Sequence, residues 1–264
     1  MSPGGSISVD GVGLECRWTG EAHDALPDIV LLHEGLGSLA MWKDFPDQLA
    51  LRTGLRVFAY SRQGHGMSDP GPARYDMDYM HREALTILPR VLQEVGIRSP
   101  ILVGHSDGGS IALIYAGAHP EHVSGLILEA PHVFVEPLTV ESIAGTKHLF
   151  GAPDLRRKLS RYHRDVDQVF WRWNDIWLDP RFLAWNIEAS VPRVRCPVLM
   201  VQGEDDEYGT RAQLDSIALH VGRPDMTESL VLPRCGHSPH RDQVEAVLAA
   251  ISRFVQNHPL TTKQ

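Results

Sequence analysis

Residues 101–118 read ILVGHSDGGSIALIYAGA, and they are the most informative segment for predicting the fold of the chain. Its first residues, 101–103, form a short apolar run of the kind found in strands that are buried on both faces. The residues from Gly109 onward are small and apolar, which suits a helix packed closely on a sheet. Because Ser106 falls between the two, the sequence predicts a strand, a sharp turn that carries this serine, and a helix.

The rest of the chain repeats this alternation of short apolar runs and helical patterns. Further strands are predicted at residues 29–32, 56–60, 126–128, 198–201 and 229–232. Apolar residues at helical spacing cover 76–96, where Pro89 predicts a kink and Gly96 an end. A second amphipathic helix is predicted at 242–257, with Asp242 near its N-terminus. Strands that alternate with helices indicate an α/β protein with a mostly parallel, doubly wound sheet.

One long segment, at about residues 132–191, breaks this alternation and contains no run typical of a buried strand. It holds helical fragments rich in charge and tryptophan instead, such as RRKLSRYHRDVDQVFWRWNDIW. A segment of this length exceeds an ordinary crossover connection, so we expect it to lie above the carboxyl ends of the strands as a cap. The sequence therefore predicts one domain, residues 1–264, with a cap insertion at about 132–191.

The composition narrows the class of protein. The 264 residues carry a formal net charge of −8, with 43% hydrophobic and 22% charged residues, which excludes disordered and low-complexity proteins. The negative charge disfavours nucleic acid and anionic membranes as partners. The cysteines lack the spacing of a disulfide framework or zinc site, and no dinucleotide-binding or P-loop pattern occurs. With no signal-peptide or membrane-span pattern, we expect a cytoplasmic protein that binds a small molecule and uses no cofactor or metal.

The chemistry is first indicated by residues 104–108, GHSDG, a G-x-S-x-G pattern between a strand and a helix. A serine on so tight a turn needs a strained backbone, and the flanking glycines remove side chains that would clash. Its hydroxyl then stands clear of the sheet at a helix N-terminus, which favours developing negative charge. We therefore interpret Ser106 as a nucleophile rather than as a serine in an ordinary glycine-rich turn.

A serine nucleophile needs a base, usually a histidine that is held by a carboxylate. Residues 233–240, PRCGHSPH, follow the last predicted strand and contain two histidines. His237 is the preferred base because Gly236 frees its backbone and the strand directs it to the edge of the sheet. His240 is the competing candidate, and its position favours the start of the last helix instead.

Three carboxylates are candidates for the acid that orients this base. Residues 203–207, GEDDE, follow a predicted strand and offer Asp206, which is preferred, and Asp205. Glu129 lies at the end of an earlier strand and is an outside candidate. The order serine, acid, histidine is the order expected for a nucleophile on a strand-to-helix turn.

An acyl-transfer site also needs two backbone N–H groups that point at the developing oxyanion. One is expected from Asp107, the residue after the nucleophile. Residues 33–37, HEGLG, follow the first predicted strand and are expected to supply the other from Gly35, with Leu36 as the alternative. By itself this loop is an ordinary glycine-rich turn, but beside the predicted serine, acid and histidine it becomes a candidate oxyanion hole.

Together these motifs resemble those of the α/β-hydrolase superfamily from about Ile29 to Val255. The matching segments are HEGLG, SRQGHGMSDP, GHSDGG, GEDD and CGHSPH. The resemblance implies an eight-stranded, mostly parallel sheet flanked by helices, with a helical cap between the sixth and seventh strands. The roles that it implies are nucleophile for Ser106, acid for Asp206, base for His237, and oxyanion donors for Gly35 and Asp107.

We therefore expect a serine hydrolase that cleaves a small or medium carboxylic ester through an acyl-enzyme on Ser106. A thioesterase, a lactonase and a carbon–carbon bond hydrolase use the same triad and are alternatives, as is a ligand-binding receptor on this fold. The carboxylate of Asp107 near the oxyanion site is expected to bias the choice of substrate. Four tryptophans of the cap are candidates for the wall of an acyl pocket or for the core of the cap: Trp171, Trp173, Trp177 and Trp185.

Overall fold

The structure is a computed structural model that describes residues 5–23 and 25–258, so both ends of the predicted domain lie outside it. In this part of the chain eight strands form one sheet, with the order β1-β2-β4-β3-β5-β6-β7-β8. The strands are β1 (Gly5–Val9), β2 (Val12–Thr19), β3 (Ile29–Leu32), β4 (Val57–Tyr60), β5 (Ile101–His105), β6 (Gly125–Glu129), β7 (Val198–Gly203) and β8 (Thr227–Leu232). The pairs β1–β2 and β2–β4 are antiparallel and the others are parallel, which confirms the predicted fold class.

Helices cover both faces of this sheet. The α-helices of the described residues are α1 (Phe45–Thr53), α2 (Tyr79–Arg82), α3 (Leu88–Glu94), α4 (Asp107–Ala118), α5 (Pro137–Gly151), α6 (Pro153–Leu159), α7 (Val166–Trp177), α8 (Ala212–His220), α9 (Pro239–Asp242) and α10 (Val244–Asn257). The apolar runs of the central strands divide between the two faces: Ile101 and Val103 pack toward α1 and α10, and Leu102 packs toward α2–α4. This division explains why these runs are apolar at consecutive positions.

The strands that the sequence pattern predicted are all present, but two parts of the sheet differ from the expectation. The β1–β2 hairpin was not predicted from the pattern of apolar runs, because most of its residues are partly exposed. Strand β8 was predicted to be buried on both faces, but it lies at the edge of the sheet, where Glu228 and Ser229 are exposed. An edge strand has only one neighbour and can carry polar residues.

The predicted helix at 76–96 is interrupted near Pro89, as expected. A π-helical turn, Glu83–Ile87, separates α2 from α3, and Pro89 lies in the first turn of α3, where its missing N–H is tolerated. Gly96 follows α3 with φ +74°, a left-handed conformation that ends helices. The last predicted helix begins at Val244 rather than at residue 242, since Asp242 belongs to the short helix α9.

The segment between β6 and β7 contains α5, α6 and α7. Its two ends meet at an isolated bridge between Phe134 and Asn186. Buried side chains of α7, among them Phe170 and Trp177, belong to the same apolar cluster as α4 on the sheet. Among the described residues, no helix combines the length and the apolarity that a membrane span requires.

Candidate active site

Ser106 lies between β5 and α4 in a strained backbone conformation, with φ 53° and ψ −120°. The neighbouring glycines make this turn possible. A Cβ atom on Gly104 would lie 2.3 Å from the Gly108 carbonyl oxygen, and one on Gly108 would lie 2.0 Å from the Leu32 carbonyl oxygen. Only residues without side chains fit at both positions, so the G-x-S-x-G pattern has the geometric basis expected for a nucleophile elbow.

The structure brings Ser106, His237 and Asp206 together from three strand ends. The Ser106 hydroxyl lies 2.9 Å from His237 Nε2, to which it can donate a hydrogen bond. The His237 Nδ1–H donates to Asp206 Oδ1 over 2.8 Å. The His237 side chain is 12% exposed and that of Asp206 is 1% exposed, so the acid is shielded while the base reaches the surface of the cavity. This arrangement can transfer the serine proton to a histidine whose charge the carboxylate stabilises.

Of the two neighbouring candidate acids, Asp206 rather than Asp205 lies against His237. The backbone N–H groups of Tyr208 and Gly209 donate to Asp206 Oδ1, at 2.9 and 3.2 Å. Burial opposes ionisation of this carboxyl, but the hydrogen bond and charge of His237 outweigh it and lower the pKa of Asp206. Asp205 is exposed on the same turn.

The side chains of His240 and Glu129, the competing base and the outside acid, pair with each other, whereas the Ser106 hydroxyl lies against His237. The His240 Nδ1 lies 2.8 Å from Glu129 Oε2, and the His240 backbone N–H donates to the same oxygen over 3.1 Å. Both side chains are buried. The structure therefore contains a second histidine–carboxylate pair beside the first.

His105 supports the loop that carries the candidate base, a contact that sequence reasoning missed. Its Nε2 lies 2.6 Å from the His237 carbonyl oxygen, and its Nδ1 lies 3.7 Å from Glu34 Oε2. Burial disfavours a charged imidazole, but the nearby carboxylate of Glu34 outweighs it and raises the pKa of His105. Asp242 supports the same loop by accepting the Gly236 N–H over 2.9 Å. The position of His105 next to the serine in G-x-S-x-G was the available signal.

Gly35, Leu36 and Asp107, the candidate oxyanion residues, border the same cavity as Ser106. Asp107 is the first residue of α4, so its backbone N–H has no acceptor within the helix. A Cβ atom on Gly35 would lie 2.3 Å from the Trp173 ring and 3.1 Å from Asp107 Oδ2. A glycine is therefore required where this loop passes between α7 and the elbow.

The Asp107 side chain is buried beside the elbow. The Tyr79 hydroxyl donates to Asp107 Oδ2 over 2.7 Å, while Oδ1 is buried without a hydrogen-bond partner among the described residues. Burial raises the pKa of Asp107, although the charge of Arg62 acts in the opposite direction.

The cavity over Ser106 has a volume of about 170 Å³ and is partly open. Ile143 and Leu159 of the segment between β6 and β7 contribute to its wall, together with Trp173 and Trp177. The other two candidate tryptophans do not line it. Trp171 is 38% exposed on the outer side of α7, and Trp185 packs against Trp177 and Phe182.

No arrangement suited to a metal is found in residues 5–23 and 25–258, where no group of three or more histidine, cysteine, aspartate or glutamate side chains could hold an ion.

The comparison with known proteins identifies the class. A sequence profile of the alpha/beta hydrolase family matches residues 29–250, and the chain belongs to this family. The protein is accordingly a hydrolase by family and by the names of its relatives.

Individual relatives are distant. The chain is 29% identical to the human serine hydrolase BPHL over 223 residues, which cover 81% of this chain and 74% of the relative. It is 22% identical to a proline iminopeptidase of Lactobacillus helveticus, with 88% of this chain and 90% of the relative covered. The crystal structure of the enol-lactonase from Burkholderia xenovorans LB400 superimposes with a TM-score of 0.74 at 19% identity, covering 96% of this chain and 100% of that one. At 19% identity, this superposition shows that the two proteins share a fold.

Proposed function

We propose that the protein is a serine hydrolase that cleaves small carboxylic esters through an acyl-enzyme on Ser106. The observation that carries this proposal is the hydrogen-bonded series from Ser106 through His237 to Asp206, at the wall of a largely apolar cavity. A nucleophile, a base in contact with it and a carboxylate that orients the base are the three parts that acyl transfer requires.

In the proposed reaction, Ser106 Oγ attacks the ester carbonyl carbon while its proton passes to His237 Nε2. The backbone N–H groups of Gly35 and Asp107 stabilise the oxyanion, and Asp206 stabilises the imidazolium. The imidazolium then gives its proton to the leaving alcohol as the carbon–oxygen bond breaks. Water, activated by His237, attacks the acyl-enzyme, and its collapse releases the acid and restores the Ser106 hydroxyl.

The cavity supports a small acyl group. At about 170 Å³ it is close to the apolar cavity of about 150 Å³ that holds a benzene ring. We propose that α5–α7 act as a cap, with Ile143, Trp173 and Trp177 limiting the length of the acyl chain. Esters with acetyl to butyryl or benzoyl groups fit this volume, whereas longer chains extend into the opening.

The test is the hydrolysis of p-nitrophenyl esters from acetyl to dodecanoyl. We expect multiple turnovers, the highest kcat/KM at two to four carbons, and no turnover above background in Ser106→Ala. Ser124→Ala is the matched control, because this buried hydroxyl lies next to the start of β6, at the opposite edge of the sheet from Ser106, and donates to the Ser99 carbonyl oxygen. A single slow turnover with retained product would overturn the proposal in favour of a receptor. Activity confined to thioesters, lactones or carbon–carbon substrates would overturn it in favour of those hydrolases.

A second candidate function is the hydrolysis of esters or amides whose acyl group carries a protonated amine. The Asp107 carboxyl favours it, because this acidic side chain borders the cavity over Ser106 and its negative charge would attract an ammonium group there. The relative named proline iminopeptidase agrees with an amine-bearing substrate.

The two candidates are separated by ethyl esters of alanine and propionate, which differ by the amine alone. If the amine is recognised, kcat/KM favours the alanine ester by tenfold or more, and Asp107→Asn reduces this ratio to near one. A wild-type ratio at or below one would exclude the second candidate and leave the first.

A further inference from the structure

Arg62 places a buried cation against the backbone of the candidate oxyanion loop, residues 33–37. The residue lies just beyond β4 and is 2% exposed. Its Nη1 donates to the His33 carbonyl oxygen, and its Nη2 donates to the Glu34 carbonyl oxygen over 2.9 Å. A buried guanidinium is therefore bound to two consecutive peptide groups of this loop, without a carboxylate hydrogen-bonded to it among the described residues.

The His33 ring, in a single tautomer, forms further hydrogen bonds to Arg62 and to the Glu34 carbonyl oxygen. The Arg62 backbone N–H can only donate, so the His33 Nε2 that lies 3.0 Å away must be the acceptor. The proton of the neutral ring is then on Nδ1, which donates to the Glu34 carbonyl oxygen over 2.8 Å. Burial and the charge of Arg62 lower the pKa of His33 well below its ordinary value, which keeps the ring neutral.

The Glu34 carbonyl oxygen consequently accepts three hydrogen bonds, the third from the Gly37 N–H over 3.0 Å. In a trans peptide the carbonyl oxygen and the following N–H point in opposite directions. The three donors therefore fix the direction of the Gly35 N–H, which points away from Arg62. A cation on the oxygen also draws electron density from the peptide and makes its N–H a stronger donor.

We propose that Arg62, together with neutral His33, is a positioning residue that aims and polarises the Gly35 N–H as an oxyanion donor. This inference rests on the proposed function, and it selects Gly35 over Leu36. Arg62 does not contact the substrate. It acts through the 34–35 peptide, whose preorganised dipole stabilises the transition state more than the bound substrate.

The test compares Arg62→Ala with Arg172→Ala, measured with the best ester of the series. Arg172 is 1% exposed and donates to the carbonyl oxygens of Pro72 and Gln63, outside the oxyanion loop. We expect Arg62→Ala to lower kcat about 100-fold with KM changed less than threefold, since loss of one oxyanion donor costs 10²–10³ in kcat. Arg172→Ala should lose stability and keep kcat within threefold when assayed below its unfolding temperature.

Two further measurements distinguish positioning from a loss of structure. Affinity for an alkyl boronic acid, which forms a tetrahedral adduct on the serine, should fall in parallel with kcat, and a few millimolar guanidinium should partly restore Arg62→Ala. If Arg62→Ala does not fold, His33→Gln tests the same peptide and should lower kcat about tenfold. The inference would be overturned if the wild type turns over the ester and the kcat values of Arg62→Ala and His33→Gln both lie within threefold of that of Arg172→Ala. That result would leave the proposed function intact. A wild type without turnover would instead reject the proposed function.

Discussion

Two histidine–carboxylate pairs lie side by side at the carboxyl edge of the sheet and differ in what surrounds them. In the first, His237 Nδ1 lies 2.8 Å from Asp206, which follows β7. In the second, His240 Nδ1 lies 2.8 Å from Glu129, which ends β6. The two histidines are three residues apart in one loop, and the ring of His105 lies about 5 Å from both.

The two pairs differ in what the rest of each histidine ring contacts. His237 Nε2 lies within hydrogen-bond distance of the Ser106 hydroxyl, and its ring borders the cavity. The His240 ring instead packs against Trp42 and Phe45, with ring centroids 4.6 and 5.4 Å away. A carboxylate partner alone therefore does not make a histidine a base, since the ring must also reach the nucleophile and the substrate.

Substitutions of the two histidines should differ most in their effect on catalysis. We expect His237→Ala to lower kcat for the best ester about 10⁵-fold or more, because the serine loses its proton acceptor. His240→Ala should keep kcat within tenfold. It should lower the free energy of unfolding by about 3 kcal/mol, because Glu129 becomes a buried charge without its partner. Ester kinetics and urea unfolding measure the two effects, and equal losses of kcat would reject the assignment of His237.

The two acids offer the same comparison with a smaller effect. Asp206→Asn is expected to lower kcat about 10⁴-fold, because an amide at this position favours the wrong tautomer of His237. Glu129→Gln is expected to change kcat less than tenfold and to lower the free energy of unfolding by about 1–3 kcal/mol. Catalysis that depends more on Glu129 than on Asp206 would show that the base is oriented from β6.

Much of this arrangement was predictable because strand ends converge at one edge of a parallel sheet. The apolar runs located the central strands, and the residues that follow them, among them Ser106 and His237, meet as expected. The choice between Asp205 and Asp206 needed the structure, since adjacent residues on a turn differ in direction in a way that no local pattern specifies. The hairpin β1–β2 was missed because it is antiparallel and half exposed, so it lacks the apolar runs of the central strands.

Helix geometry could have predicted which tryptophans of α7 face the same side of the helix. Two residues along a helix rotate the side chain by about 200°, so Trp171 and Trp173 must face opposite sides of α7, whereas Trp177 shares a side with Trp173. The structure has Trp173 and Trp177 at the cavity and Trp171 outside. The role of Arg62 had no such signal, because its contacts with residues 33 and 34 depend on the pairing of β3 with β4 and on the path of the loop after β4.

A smaller difference is expected between Glu129 and Asp206 in how their contributions to the free energy of unfolding depend on pH. Burial opposes ionisation of Glu129, but the charge and hydrogen bonds of His240 outweigh it and lower the pKa of Glu129. A carboxylate whose pKa is lowered on folding stabilises the folded state at pH values above its ordinary pKa, which is 4.5 for glutamate. This stabilisation is lost as the pH falls through the pKa of the folded state. The loss of stability caused by Glu129→Gln should therefore persist from pH 7 down to about pH 4.5 and should shrink at lower pH.

The pKa of Asp206 is also lowered in the folded state, but from an ordinary value of 3.8 instead of 4.5. The loss of stability caused by Asp206→Asn should therefore begin to shrink about 0.7 pH units lower than that caused by Glu129→Gln. Urea unfolding followed by tryptophan fluorescence at several pH values from 7 to about 2.5 measures both variants against the wild type. A difference between wild type and Glu129→Gln that stays constant over this range would mean that Glu129 is not held ionised by His240. The second pair would then stabilise the loop through the shape of its hydrogen bonds rather than through charge, in contrast to the pair at Ser106.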